Sequence, residues 1–277
     1  MAANANTPAM TEPLVLRNAP LVEVIAEVHW KFPVGELNAG GHDPQWFAFA
    51  DRMARCARDS GYASIERLVP AGTTVPLDLL GRAPILRFRP EAGKWPLMQL
   101  GQGLLTINAV PPYDGWSKAI APRLAQALEA LENSRFEAAN DQPIEKLELH
   151  YMDAFTEKHG VPDARTYLDA ELGLFPDCPA PWRALCVLEE APSFTGEYRF
   201  KLAAPEGSVA VVKYGSGSIN PSMSGVVPAA IFDFIVSVTP GRVMSIAEVL
   251  DWFEGAHTAS RSLLDGSLSA TVRKVVT

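Results

Sequence analysis

An α+β fold on a mostly antiparallel sheet is what this sequence predicts, and three observations predict it. Strand-like segments follow one another with no helix between them, first over residues 85–109, where tight turns join them, and again after residue 184. Helical stripes fall in separate blocks that close each run of strands. Runs of strands followed by a helix argue for antiparallel sheets, whereas a doubly wound fold would alternate strand and helix. Three long helices are expected to cover the sheet. A chain of 277 residues, 48% hydrophobic and 20% charged, is long enough to bury a core without disulfide or metal staples.

Residues 1–17 have neither the basic stretch nor the apolar stretch of a secretory signal and read as a disordered leader. Leu21–Trp30 alternates, with Val22, Val24, Ala26, Val28 and Trp30 against a mixed face carrying Glu23, Glu27 and His29. Asp43-Pro44 opens a helix as N-cap and first-turn proline. Its expected stripe is Trp46, Phe47, Ala50, Met53, Ala54 and Ala57. Ile85–Arg89, Leu97–Leu100 and Leu104–Ala109 form an antiparallel meander with tight turns. The run Pro111–Trp116 breaks it. A second helix spans Trp116–Glu132, with Ile120, Leu124, Ala127, Leu128 and Leu131 inward.

Ile144–Phe155 is the next strand, with Leu147, Leu149, Tyr151 and Phe155 opposing Lys146, Glu148 and His150. A short helix over Asp163–Leu172 follows. Strands are then expected at Ala184–Glu189, Glu197–Leu202, Val209–Tyr214 and Ile231–Val238. Residues 215–228, rich in Gly, Ser, Asn and Pro, are expected to form a mobile loop. The last helix opens with a capping box, Ser245 and Glu248, and carries Ile246, Val249, Leu250, Phe253, Ala256 and Leu264. The tail Leu268–Thr277 reads as an arm that adds a strand to a sheet edge or to a partner. The element order nearly repeats, so residues 18–267 form one domain with halves 18–140 and 141–267. A duplicated strand-helix-three-strand-helix unit is one reading of that order, although no residue-level repeat accompanies it.

The charge balance, 24 Lys and Arg against 32 Asp and Glu for a net −8, excludes generic binding to a nucleic-acid backbone. Three cysteines, Cys56, Cys178 and Cys186, match no paired motif and fit a reducing, cytoplasmic setting. No apolar stretch is long enough to span a bilayer, so no membrane role is expected.

Three segments carry a family pattern: LRNAPLVEVIAEVHWKFP, LMQLGQGLLTINAVPPYDGW and SIAEVLDWFEGAHTASRSLLDGSLS. Together, over roughly residues 17–270, they resemble a sporadically distributed family of uncharacterised bacterial proteins of about this size. The resemblance implies an accessory bacterial protein and brings no catalytic residue with it. It also implies an acidic residue after His257 and an aromatic near position 263, where this chain has Thr258 and Leu263.

Chemistry-bearing candidates are few. No metal-ligand spacing occurs among the five histidines, so neither metal nor cofactor is expected. Gly101-Gln102-Gly103 joins strand to strand and is no phosphate loop. The serines from Ser216 to Ser224 lack a nucleophile elbow. Glu27 with His29, and Glu148 with His150, are pairs two apart on strands, so each pair shares a face. If those strands are neighbours, two imidazoles and two carboxylates meet in an arrangement suited to acid–base work or a metal. Tyr113 and Trp116 flank a turn, where aromatics anchor a partner. The leading expectation is a non-enzymatic protein that binds a protein partner, with homo-oligomerisation open. The alternative is a hydrolase or metal-dependent enzyme using Glu27, His29, Glu148 and His150.

Overall fold

The computed structural model describes residues 16, 18–32, 43–68, 82–112, 114–134, 142–174, 195–220 and 225–277. The expected strand at 184–189, the leader up to residue 15, Tyr113, Cys178 and Cys186 lie outside them.

Alternation along β1 (Leu21–Trp30) sends Val24, Ala26, Val28 and Trp30 to the core, each no more than 3% exposed. β6 (Ile144–Phe155) does the same with Leu147, Leu149, Tyr151 and Phe155. The two pair antiparallel at the middle of the sheet, Val24 opposite Tyr151 and Val28 opposite Leu147. Around them lie β2 (Ser64–Arg67), β3 (Leu86–Arg89), β4 (Leu97–Gly101), β5 (Leu104–Ala109), β7 (Thr195–Lys201), β8 (Val209–Ile219) and β9 (Val227–Val238). Among the described residues all pairings are antiparallel, and the nine strands run in the order β2-β3-β4-β5-β1-β6-β9-β8-β7. The order reads outward alike on both sides of the centre: β1 is followed by β5, β4, β3 and β2, and β6 by β9, β8 and β7.

Aromatic and aliphatic side chains bind the helices to the core face. In α1 (Pro44–Asp59) the Asp43 carboxylate accepts from Gln45 N at 2.8 Å and caps the helix. The stripe is turned relative to the expected one: Phe47 is 40% exposed, and Phe49 takes its place against Trp30 and Phe32. α2 (Ala121–Ser134) follows a π-helical turn, Trp116–Ile120. Behind β6, α3 (Ala164–Thr166) runs into a π-helical turn whose Tyr167 meets Phe155 and Phe232. α4 (Ile246–Gly266) has the expected capping box and buries Val249, Trp252, Phe253, Ala256, Ser260 and Leu264, while Ile246 and Leu250 are only half-buried. Among the described residues no helix is long and apolar enough to cross a membrane.

Two expectations need correction, and one strand was not expected. Most of the described residues of the expected 215–228 loop are strand: β8 continues to Ile219 and pairs with β9 from Gly215↔Ile231 to Ile219↔Val227. The ladder supplies the backbone partners that small side chains cannot, and a Cβ at Gly217 would lie 2.6 Å from the Ile231 Cδ1 atom, so glycine suits this close pairing. The C-terminal arm is instead a docked helix, α5 (Ala270–Val276), capped by Ser269 and burying Val272 and Val276 completely. β2 was not legible as a strand, because its four residues include Glu66 and Arg67. Glu66 is used on the sheet surface, where it accepts from Arg89 Nε at 2.8 Å.

Candidate functional site

The four acid–base candidates share one sheet face, since β1 and β6 are neighbours and Glu27 lies directly opposite Glu148. They do not converge on a common point. His29 Nε2 bonds Glu27 Oε2 at 2.9 Å on its own strand, Lys146 Nζ pairs with Glu148 Oε2 at 2.6 Å, and His150 bonds Asp233 of β9. Among the described residues no three His, Cys, Asp or Glu groups are arranged to hold a metal ion. Burial alone would lower the His150 pKa, but the Asp233 hydrogen bond and charge, with Glu148 and Glu27 behind, raise it. Burial pushes the Glu27 carboxyl up, yet His29, Lys146 and His150 bring it down overall.

The opposite face of β6 builds a different site. Tyr151 and Asp153 are two apart, so both point toward the helices. Leu21 of β1 pairs with Asp153 at this end of the sheet. On α4, His257 and Arg261 are four apart and share a stripe beside Ser260 and Leu264. Strand and helix thus enclose a cavity of about 530 Å³ lined by Tyr151, Asp153, His257, Ser260 and Arg261, with Leu21, Leu264 and Trp116 as further walls. Asp114 and Ser117, both exposed, lie at its mouth.

The side chains of this site are held in place. The Tyr151 hydroxyl and His257 Nδ1 are hydrogen-bonded at 2.8 Å. The His257 ring stacks on Trp116 with centroids 4.9 Å apart and planes 8° from parallel. Trp116 Nε1 donates to Glu254 Oε2 at 2.6 Å, fixing the indole to the same helix. Trp116 is therefore a buried wall of the cavity, 5% exposed.

Asp153 is the chemical anomaly. It is 1% exposed, and its Oδ2 has no hydrogen-bond partner among the described residues; nor does the buried Ser260 Oγ. Burial raises its pKa to about 7, with Arg261 opposing and Asp233 adding to the shift. Burial, and then the Arg261 charge, lower His257 to about 4, so its imidazole is neutral at pH 7. The pocket thus offers an acid poised near neutrality, a neutral imidazole, a hydroxyl and a guanidinium. A buried carboxyl oxygen without a partner is costly, and titratable groups shifted by burial and charge within a cavity make this a candidate functional site. None of Glu27, His29, Glu148 and His150 lines this cavity.

No family model, no curated protein and no solved structure matches this chain.

The two imidazoles provide a direct check on these environments. An NMR pH titration should place the His150 midpoint above 6.5 and the His257 midpoint near 4, with Asp233→Asn bringing His150 down. The sign for stability follows from linkage. The raised His150 contributes stability that is full below about pH 6.5 and is lost as pH rises through its folded pKa. Coincident midpoints for the two residues would contradict both environments.

Proposed function

We propose that this protein is a non-enzymatic bacterial accessory protein that binds a small molecule in the cavity between β6 and α4. One observation carries the reading: Asp153 is fully buried, aimed into a cavity, and leaves one oxygen unpartnered. A bound molecule bearing a hydrogen-bond donor would satisfy that oxygen. The volume, about 530 Å³, falls within the range of small-ligand sites, roughly 300–1,000 Å³. Apolar walls with a few convergent polar groups are the usual make-up of such sites.

A thermal-shift screen of small metabolites tests this. A ligand at about 100 times its Kd stabilises the native state by about 2.7 kcal/mol, which in a chain of this size raises Tm by roughly 5–10 °C. At least one compound should do so for the wild type and fail with Ser117→Trp, which puts an indole at the exposed mouth. Compounds that act equally on both would place binding elsewhere.

Protein-partner binding, the leading expectation from the sequence, stands as a second proposal. β7 ends the sheet among the described strands and shows Tyr198 and Phe200 at 51% and 40% exposure. An edge strand with exposed aromatics suits strand addition by a partner. The same reading takes the two halves as a duplicated unit and α1, α2 and α4 as three long helices covering the sheet. It places the protein in the cytoplasm.

A further inference from the structure

We propose that the ligand of the β6–α4 cavity is a small α-amino or α-hydroxy acid with an apolar side chain; this rests on the ligand-binding reading above. The cavity has two poles of opposite character. Asp153 presents an unpartnered carboxyl oxygen at one, and Arg261, close enough to act on Asp153 through its charge, presents a guanidinium at the other. Ser260 precedes Arg261 on the helix and adds a buried hydroxyl with no partner among the described residues. A ligand carboxylate accepts from Arg261 and from the Ser260 hydroxyl. The guanidinium has five N–H donors, so it can take this contact alongside others. A neighbouring ammonium or hydroxyl then donates to Asp153 Oδ2.

Ligands with one polar function fail at one pole. A simple carboxylic acid can add a contact to Arg261 but leaves Asp153 Oδ2 without a donor. A simple amine satisfies Asp153 and sets a second cation near Arg261. A small molecule that carries both functions on adjacent carbons, as an amino or hydroxy acid does, meets both groups at once. Leu16, Leu21 and Leu264 provide the surface for an apolar side chain. Neutral His257, held by Tyr151 and Trp116, adds a polar wall without a second positive charge.

Isothermal titration of the full chain tests the class. The probes are L-leucine and 2-hydroxy-4-methylpentanoate, against 4-methylpentanoate and 3-methylbutylamine, which each carry one of the two functions. At least one two-function probe should bind tenfold or more tighter than both controls. Arg261→Gln and Asp153→Asn should each weaken that probe at least tenfold, while Ser117→Trp blocks it. Equal binding of the controls, unchanged affinity in Arg261→Gln, or no binding of either two-function probe would overturn the proposal. If a screening hit is lost in Ser117→Trp while both two-function probes fail, the ligand class falls and the cavity reading survives. If no compound depends on the mouth residue, both fall.

Discussion

Asp153→Asn is expected to make the protein more stable at pH 8 and to flatten the decline of its stability with pH. The unfolded carboxyl releases its proton near pH 3.8, and the folded one near pH 7, because burial disfavours the anion. Between those values the native state binds more protons than the unfolded state, so stability falls as pH rises. The penalty is fully present above about pH 7 and amounts to on the order of 4 kcal/mol, a large part of a typical total of about 5–15 kcal/mol. Asparagine keeps the shape and removes the charge, although its amide is itself incompletely paired, at a cost of about 1–3 kcal/mol. From pH 5 to pH 8 the wild type should therefore lose about 3 kcal/mol relative to the variant. Urea unfolding at the two pH values measures this. A difference that does not change with pH would mean that Asp153 is ionised and satisfied in the native state.

Phe253→Ala is expected to cost about 3–5 kcal/mol, lowering Tm by roughly 6–12 °C or more. Phe253 is completely buried on α4 and packs edge-on against Trp252 with centroids 4.9 Å apart. Trp252 in turn donates from Nε1 to the Ser208 hydroxyl at 3.0 Å. Truncation leaves a cavity that the surrounding sheet cannot close. Leu250, although it falls within the helical pattern, is only half-buried, so Leu250→Ala should cost about half as much or less. Thermal melts of the two variants give the ranking. Equal losses would mean that α4 is rotated about its axis from the position described.

The physics behind that ranking also explains what the sequence disclosed. Period-two alternation located β1 and β6, because one face of each is apolar and the other mixed, while β5 was found from its flanking turns and β9 as a largely apolar run. The capping box placed the start of α4 because Ser245 and Glu248 satisfy each other's backbone groups. The strand character of residues 215–219 was hidden. Glycine and serine signal a loop locally, yet pairing with β9 decides their conformation. Phe47 and Phe49 could not be ranked from the sequence, since both lie near the edge of the α1 stripe. The polar pairs Glu27–His29 and Glu148–His150 share one face of neighbouring strands, with Glu27 opposite Glu148, but side-chain pairing with Lys146 and Asp233 divides them.

The cavity left a trace that pattern reading passed over. Asp153 occupies the apolar phase of β6, in register with Leu147, Leu149, Tyr151 and Phe155, where a carboxylate breaks the alternation. His257 and Arg261, four apart, sit beside the apolar stripe of α4. Each signal is slight alone. That they face one another depends on the docking of α4 on β6, which no local rule specifies.

In the proposed function a small molecule occupies the space between β6 and α4. A crystal structure of the protein grown with the strongest compound from the screen tests this most directly. The predicted result is ligand density in the cavity, with a donor atom about 2.7–3.2 Å from Asp153 Oδ2 and Trp116 still stacked on His257. Density confined to the Glu27–Glu148 face or to the β7 edge, with the cavity holding only water, would contradict it.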